Sequence, residues 1–240
     1  MIEIQNLYKR FAENEVLRGI NLTIKQGETL AIVGRSGEGK SVLLKNIVGL
    51  IRPTSGRILL DGEDITDFSE DELFKTRRTC GYIFQQPALF DFLDVIENVC
   101  FGLKRANISG GKKLEIARKT LSLLNLHNIE EKYPHQLSFG MQKRVSLART
   151  LALSPKSLLY DEPTTGLDPI NTGMVNELII DLQKKLEVTS VIVTHDMSSA
   201  SLVANRIAFL SKGVIVAIGT PQEIKLSQHP LIKEFMREIE

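Results

Sequence analysis

The sequence predicts an α/β protein: a mainly parallel sheet flanked by helices, joined by an antiparallel β portion and interrupted by a helical insertion. Three observations carry this. Gly34-Arg35-Ser36-Gly37-Glu38-Gly39-Lys40-Ser41 is a complete G-x-x-x-x-G-K-[ST] phosphate loop. It joins the apolar run Thr29–Val33, which reads as a buried strand, to Val42–Val48, which reads as a helix with an apolar inner side. Further along, apolar strands alternate with helical segments, the pattern that gives parallel sheets covered by helices. Near the start, residues 2–7 alternate with period two, as a half-buried antiparallel strand does.

The elements follow in order. A second strand is read near Leu22–Ile24, and Gln26-Gly27 turns into the phosphate-loop strand. After the loop helix, Arg52 to Gly56 is turn chemistry, Arg57–Leu60 is strand-like, and Asp61-Gly62 signals a hairpin. Residues 69–78 read as a helix and Cys80–Phe84 as a short strand. From Gln86 to Leu137 β-branched runs are few and Leu114–Leu124 has helical spacing, which marks the insertion. Then come helix Met141–Leu153, strand Ser157–Tyr160, helix Ile170–Leu186, strand Ser190–Thr194 and helix Met197–Ala204. A closing hairpin pairs Arg206–Leu210 with Val214–Ile218, and His229–Glu240 forms one short amphipathic helix.

Bulk properties narrow the partners. The 240 residues suffice for one large domain with an inserted subdomain. Thirty basic and 29 acidic residues leave almost no net charge, which argues against nucleic-acid binding through gross electrostatics. Cys80 and Cys100 fit no metal-ligand spacing and read as buried free thiols in a reducing cytosol. No signal peptide is read at the N-terminus, and no run approaches the roughly 20 apolar residues of a bilayer span. A soluble chain is expected, whose membrane role would need a partner.

The phosphate loop states its own chemistry. Its glycines let Gly34, Arg35, Ser36, Gly37, Glu38, Gly39 and the following residues turn backbone N–H groups toward phosphate oxygens, and the new helix, with Val42 in its first turn, points its positive end at the same anion. Lys40 is placed to reach the β- and γ-phosphates and Ser41 to hold Mg²⁺. Asp161-Glu162 ends an apolar strand: Asp161 can share the metal with Ser41, and Glu162, pointing differently, can act as general base on the attacking water. Gln85, at the end of its strand, can touch both metal and water, with Gln86 as the competing residue. His195 follows the strand Val191–Thr194, where an imidazole can meet a γ-phosphate, and Asp196 can cap the next helix. Ser138 opens a helix and makes a second anion site, or is an ordinary N-cap. Two phosphate sites in one chain suggest a nucleotide sandwiched between two copies, a reciprocity that a two-fold dimer satisfies.

Together these residues resemble the ATP-binding-cassette (ABC) transporter ATPases over nearly the whole chain. The elements stand in the family's order: Walker A at 34–41, Q-loop at Gln85, signature at 137–142, Walker B at 157–162, D-loop at Gly166-Leu167-Asp168 and switch His195. The resemblance implies a single ABC-type phosphate-loop domain over 1–240: a catalytic core with β subdomain at 1–85 and 138–222, a helical subdomain at 86–137, and a short helical tail at 223–240. It implies ATP and Mg²⁺ as cofactors, Glu162 as base, and Ser138, Gly140 and Asp168 acting across the dimer. Phe11 falls where the family stacks adenine, with Tyr8 as the competing residue. Phe139 stands where the family has glycine and Met141 where it has Gln; a Phe resisting positive φ or close approach is expected to hinder closure of the sandwich.

A narrower resemblance rests on Gly37–Lys45, Pro87–Asp91, Met141–Val145 and Tyr160–Ile170, which look like the ATPase of Mla/Mce-type phospholipid transporters. It implies an integral-membrane permease, a Mce-type lipid-binding partner, and a place on the cytoplasmic face of the inner membrane. Leu89, Phe90 and Phe92 are then the expected docking surface, or else core of the insertion. An importer of a small polar solute and a non-transport cassette are the alternative functions.

Overall fold

The computed structural model describes residues 1–105 and 108–239. Ala106 and Asn107 of the expected insertion, and Glu240 of the expected tail helix, lie outside the described residues. In chain order the strands are β1 Ile2–Phe11, β2 Asn14–Ile24, β3 Thr29–Val33, β4 Ser55–Leu60, β5 Glu63–Asp64, β6 Cys80–Ile83, β7 Ser157–Asp161, β8 Thr189–Thr194, β9 Arg206–Ser211 and β10 Val214–Gly219. The helices are α1 Lys40–Ile47, α2 Glu70–Thr79, α3 Val95–Cys100, α4 Gly110–Leu123, α5 Phe139–Leu151, α6 Pro169–Leu186, α7 Met197–Val203, α8 Pro221–Lys225 and α9 Pro230–Ile239.

Two sheets form. One has the order β10-β9-β3-β8-β7-β6, parallel throughout except for β10, which folds back on β9. Buried β3 and β8 lie at its centre, covered on both faces, as strands flanked by helices must be. The other is antiparallel, β2-β1-β4-β5. Its first two strands are longer than the periodicity suggests. Asn6 adopts φ 46° and the β1–β2 register shifts there, so the in–out alternation breaks while the pairing continues to Phe11. The part of β2 before Leu22 buries Leu17 and Ile20, which stand three apart, so it offers no period-two alternation to a hydrophobic reading. Both expected hairpins close through positive-φ pairs, Asp61-Gly62 (51° and 86°) and Lys212-Gly213 (48° and 77°), the turn whose twist matches antiparallel strands.

Three apolar clusters hold the layers. Leu43, Leu44 and Ile47 of α1 are inaccessible to solvent and pack with β1, β2 and β3 residues such as Leu7, Leu17 and Ile32. Each contributes roughly 1.5–3 kcal/mol by leaving water. This cluster clamps the helix that follows the phosphate loop. A second cluster joins Val95, Val99, Leu121 and Leu126 to Val145 and Leu151 of α5 and Ile179 and Leu182 of α6. A third packs Ile232 and Phe235 of α9 on Ile207 and Phe209 of β9, with the Phe209 and Phe235 rings edge to face at 5.2 Å. The helix α8, which the sequence reading does not contain, is a single capped turn: Thr220 and Glu223 form a capping box.

Cys80 and Cys100 are both free and buried. Burial pushes the Cys80 thiol up to about 12 and raises that of Cys100 as well, so neither offers a thiolate near neutrality. An aromatic-disulfide thiol titration at pH 8 is expected to find far less than one reactive thiol per native chain and both after denaturation; fast native labelling would contradict the buried placement.

Candidate functional site: a phosphate-loop cleft

The parallel pairing sets where the site lies. Val33 pairs with Thr194, and Asp161 with Val193, so the phosphate loop, Glu162 and His195 leave the sheet at the same edge. There they line an open cleft of about 480 Å³ with Phe11, Val16, Ser36, Gly37, Gly39, Lys40, Ser41, Val42, Gln85 and Thr165.

The loop's conformation demands glycine at two points. A Cβ on Gly34 would stand 2.2 Å from the Leu210 carbonyl oxygen. Gly39 has φ 99° and caps α1 with no side-chain hydrogen bond, so the first N–H groups of that helix stay available to an anion at the cleft. Lys40 is 5% exposed. Its ammonium donates to the carbonyls of Gly34 (2.9 Å) and Arg35 (3.0 Å) and lies 3.4 Å from Glu162 Oε1. The side chains of Arg35 and Glu38 turn elsewhere. Arg35 pairs with Glu234 and Glu238 of α9, and Glu38 accepts from Lys212 N and Ser211 Oγ. Only their backbone groups are left to the loop.

Two carboxylates leave β7 in different directions. Asp161 accepts from Ser41 Oγ (2.6 Å) and from the Tyr82 hydroxyl (2.6 Å). Tyr82 is pushed well above its ordinary range by burial and by this bond, which keeps it a donor. Glu162 adopts φ 49°, a left-handed conformation unusual for Glu, fixed by its N–H on the Val193 carbonyl at 2.9 Å. Its Oε2 receives Thr165 Oγ1 and meets His195 Nδ1, each at 2.9 Å. Ser41, Asp161 and nearby Gln85 offer the hard oxygen donors that suit Mg²⁺, an ion that takes few protein ligands and fills its octahedron with water and phosphate.

Phe11 reaches the cleft with Lys9 Nζ 4.8 Å over its ring, while Tyr8 lies against Gly19. Ser138 caps α5, accepting from Met141 N at 3.3 Å, and Asp168 caps α6, accepting from Ile170 N and Asn171 N. These two and Gly140 do not line the cleft, so a single chain does not bring its second anion site to its first. Gly140 instead faces Asn171. Phe139 sits in the first turn of α5 without positive φ, so that half of the expected obstacle is absent. Sequence reasoning missed Tyr82, Thr165 and Lys143. Lys143, 8% exposed, donates to the carbonyls of Pro163 (2.8 Å) and Thr165 (3.1 Å). Burial lowers it to about 8, against an opposing pull from Glu162.

A strand–glycine loop–helix unit, a carboxylate on its serine and a second carboxylate beside its lysine define a phosphate-loop nucleotide-binding domain. Comparison with known proteins gives the family. The ABC transporter family model matches residues 17–165, more than half of the chain. The "Probable ribonucleotide transport ATP-binding protein mkl" of Mycobacterium tuberculosis is 36% identical over 236 residues, which cover 98% of this chain and 66% of that protein. The chain thus spans about two thirds of the length of that relative. CbiO1 of Clostridium perfringens, part of the ABC transporter complex cbiONQ, superposes with a TM-score of 0.87 at 34% identity, covering 99% of this chain and 93% of its own. The cassette MJ0796, solved as a dimer in a post-hydrolysis state with ADP and Pi, gives 0.84 at 35% identity over 92% and 99%. This chain belongs to the ABC transporter family, among its ATP-binding proteins.

Tyr82→Phe removes one of the two hydroxyl donors on Asp161. It is expected to weaken Mg²⁺-dependent nucleotide binding about tenfold, as loss of an outer-shell partner does. The midpoint of a Mg²⁺ titration monitored by ATP binding checks this; an unmoved midpoint would mean that Tyr82 only packs.

Proposed function

We propose that this chain is the ATP-hydrolysing subunit of an ABC transporter and that it energises phospholipid transport between inner and outer membranes through a partner permease. The observation that carries the enzymatic part is the convergence of Lys40, Ser41, Glu162 and His195 on one cleft, with Asp161 bonded to Ser41 behind its wall. The backbone N–H groups of Gly34–Ser41 and the first turn of α1 hold the β- and γ-phosphates, with the Lys40 ammonium between them. Ser41, Asp161 and Gln85 hold Mg²⁺, which when bound neutralises charge on the phosphate oxygens. Phe11 stacks on adenine. Glu162 takes the proton of the attacking water, whose oxygen bonds to the γ-phosphorus as the bond to the β–γ bridging oxygen breaks and ADP leaves. His195 holds the γ-phosphate and steadies the Glu162 carboxylate.

Ser138, Gly140 and Asp168 complete the partner copy's site in a two-fold ATP sandwich. Their place outside their own chain's cleft supports this, as does the dimeric state of the similar MJ0796. In this reading 1–85 and 138–222 form the core, 86–137 the helical subdomain that follows Gln85, and 223–240 the tail. The docking surface for the permease lies around Leu89, Phe90 and Phe92. Phe92 is 75% exposed, Phe90 packs on Phe92 and Phe101, and Leu89 leans on the helical core. Among the described residues no helix is long and apolar enough to cross a membrane. In this reading the permease holds the chain at the cytoplasmic face of the inner membrane.

The phospholipid substrate, and a Mce-type lipid-binding partner, rest on the motif variants at 87–91 and 141–145. A solute importer is the second reading, favoured by the ribonucleotide named for the similar mkl.

Glu162→Gln is expected to bind ATP and dimerise while losing nearly all turnover, and His195→Ala to slow hydrolysis with little loss of binding; steady-state hydrolysis beside nucleotide titration checks both. Substantial turnover in Glu162→Gln would place the base elsewhere.

Gentle extraction of the tagged chain from its native membranes is expected to bring a multi-pass permease, an anchored lipid-binding protein and phospholipid. Mass spectrometry reads the outcome: a permease with a soluble solute-binding protein would remove the lipid reading, and no membrane protein would remove transport.

A further inference from the structure

The departure at Phe139 and the buried cation at Lys143 belong to one arrangement. Three successive polar side chains of α5 each satisfy a different segment. Gln142 donates to Pro134 and Leu137 carbonyls, Arg144 to the Leu124 carbonyl, and Lys143 to those of Pro163 and Thr165. The last pair lies in the turn that follows Glu162. Thr165 also donates its hydroxyl to Glu162 Oε2 at 2.9 Å, so the carbonyl that Lys143 grips and the hydroxyl that fixes Glu162 belong to one residue. The Phe139 ring centroid lies 5.1 Å from the Lys143 ammonium, one helical turn away.

We infer that Lys143 is a positioning residue for hydrolysis: its ammonium ties the start of α5 to the turn that aims Glu162, and Phe139 closes over that ammonium. The physical case is that a nearly buried ammonium is tolerated only when its protons are bonded, and two rigid carbonyls meet that need with geometry. Removing the ammonium leaves Pro163 and Thr165 carbonyls without this donor and frees Thr165, hence Glu162, whose left-handed backbone depends on its surroundings. A glycine at 139 would supply no ring. The same helix carries Ser138 and Gly140, so a contact made there for the partner's nucleotide is felt at this chain's own Glu162.

The inference rests on the reading of Glu162 as base, and the test separates the two. Steady-state hydrolysis by the complex purified through this chain is compared for wild type, Lys143→Met, Lys143→Gln, Phe139→Leu and Glu162→Gln, with ATP affinity and melting temperature measured on each. Lys143→Met is expected to lose about tenfold in kcat with KM and ATP affinity within about twofold, the mark of a displaced reacting group. Lys143→Gln, which keeps an N–H donor, recovers most of that loss. Phe139→Leu lowers kcat about threefold, as fits a cation–π contact, and adds nothing in the Lys143→Met background. If Lys143→Met fails to fold, Phe139→Leu carries the test, and wild-type kcat there overturns the inference. Wild-type kcat in Lys143→Met beside an inactive Glu162→Gln overturns it alone; turnover in Glu162→Gln overturns the base assignment first.

Discussion

The hydrogen bond from Ser41 to Asp161 joins residues 120 positions apart and depends on one structural constraint, the parallel pairing of β3, β8 and β7. Parallel strands end on the same side, so whatever follows their C-terminal ends is gathered without further instruction. A one-residue slip of β7 on β8 would point Asp161 to the opposite face and send Glu162 out of reach of Lys40. Buried apolar residues on both faces of β3, β7 and β8 make that slip costly. The precision of the site is thus borrowed from the core beneath it.

Most of this arrangement is legible in the sequence because it is local. The phosphate loop is bounded by a strand and a helix that can each be read from a few residues, and the carboxylates end a visible strand. What is hidden depends on pairing. Tyr82 reaches Asp161 only because Ile83 sits beside Tyr160, a register no local pattern displays. Lys143 meets the turn after Glu162 from twenty residues away in sequence, whereas Thr165 lies only three residues from Glu162 and its role shows only in the turn's geometry. The first half of β2 is hidden for a different reason: its buried residues Leu17 and Ile20 are three apart where the register with β1 shifts, so the period-two signal is lost.

Packing divides the chain unevenly. The helical stretch around Val95–Leu126 shares a core with α5 and α6, whereas the phosphate-loop helix belongs to the core of the two sheets. Signature and phosphate loop are therefore carried on different packing units of one chain. The two units share a wall: Ile83, Leu158, Tyr160 and Ile192 of β6–β8 face one core, while Cys80, Leu159, Val191 and Val193 of the same strands face the other.

Glu162 shows what such a site asks of selection. Its backbone lies where glycine, asparagine or aspartate would sit more comfortably, at a cost on the order of 1 kcal/mol. On the proposed role of Glu162 as base, a copy of this gene released from the need to turn over ATP would be free to relax at this position and gain stability by doing so. Retention of glutamate at such a position in any lineage would then be a record of continued use, written in a residue the backbone alone would not choose.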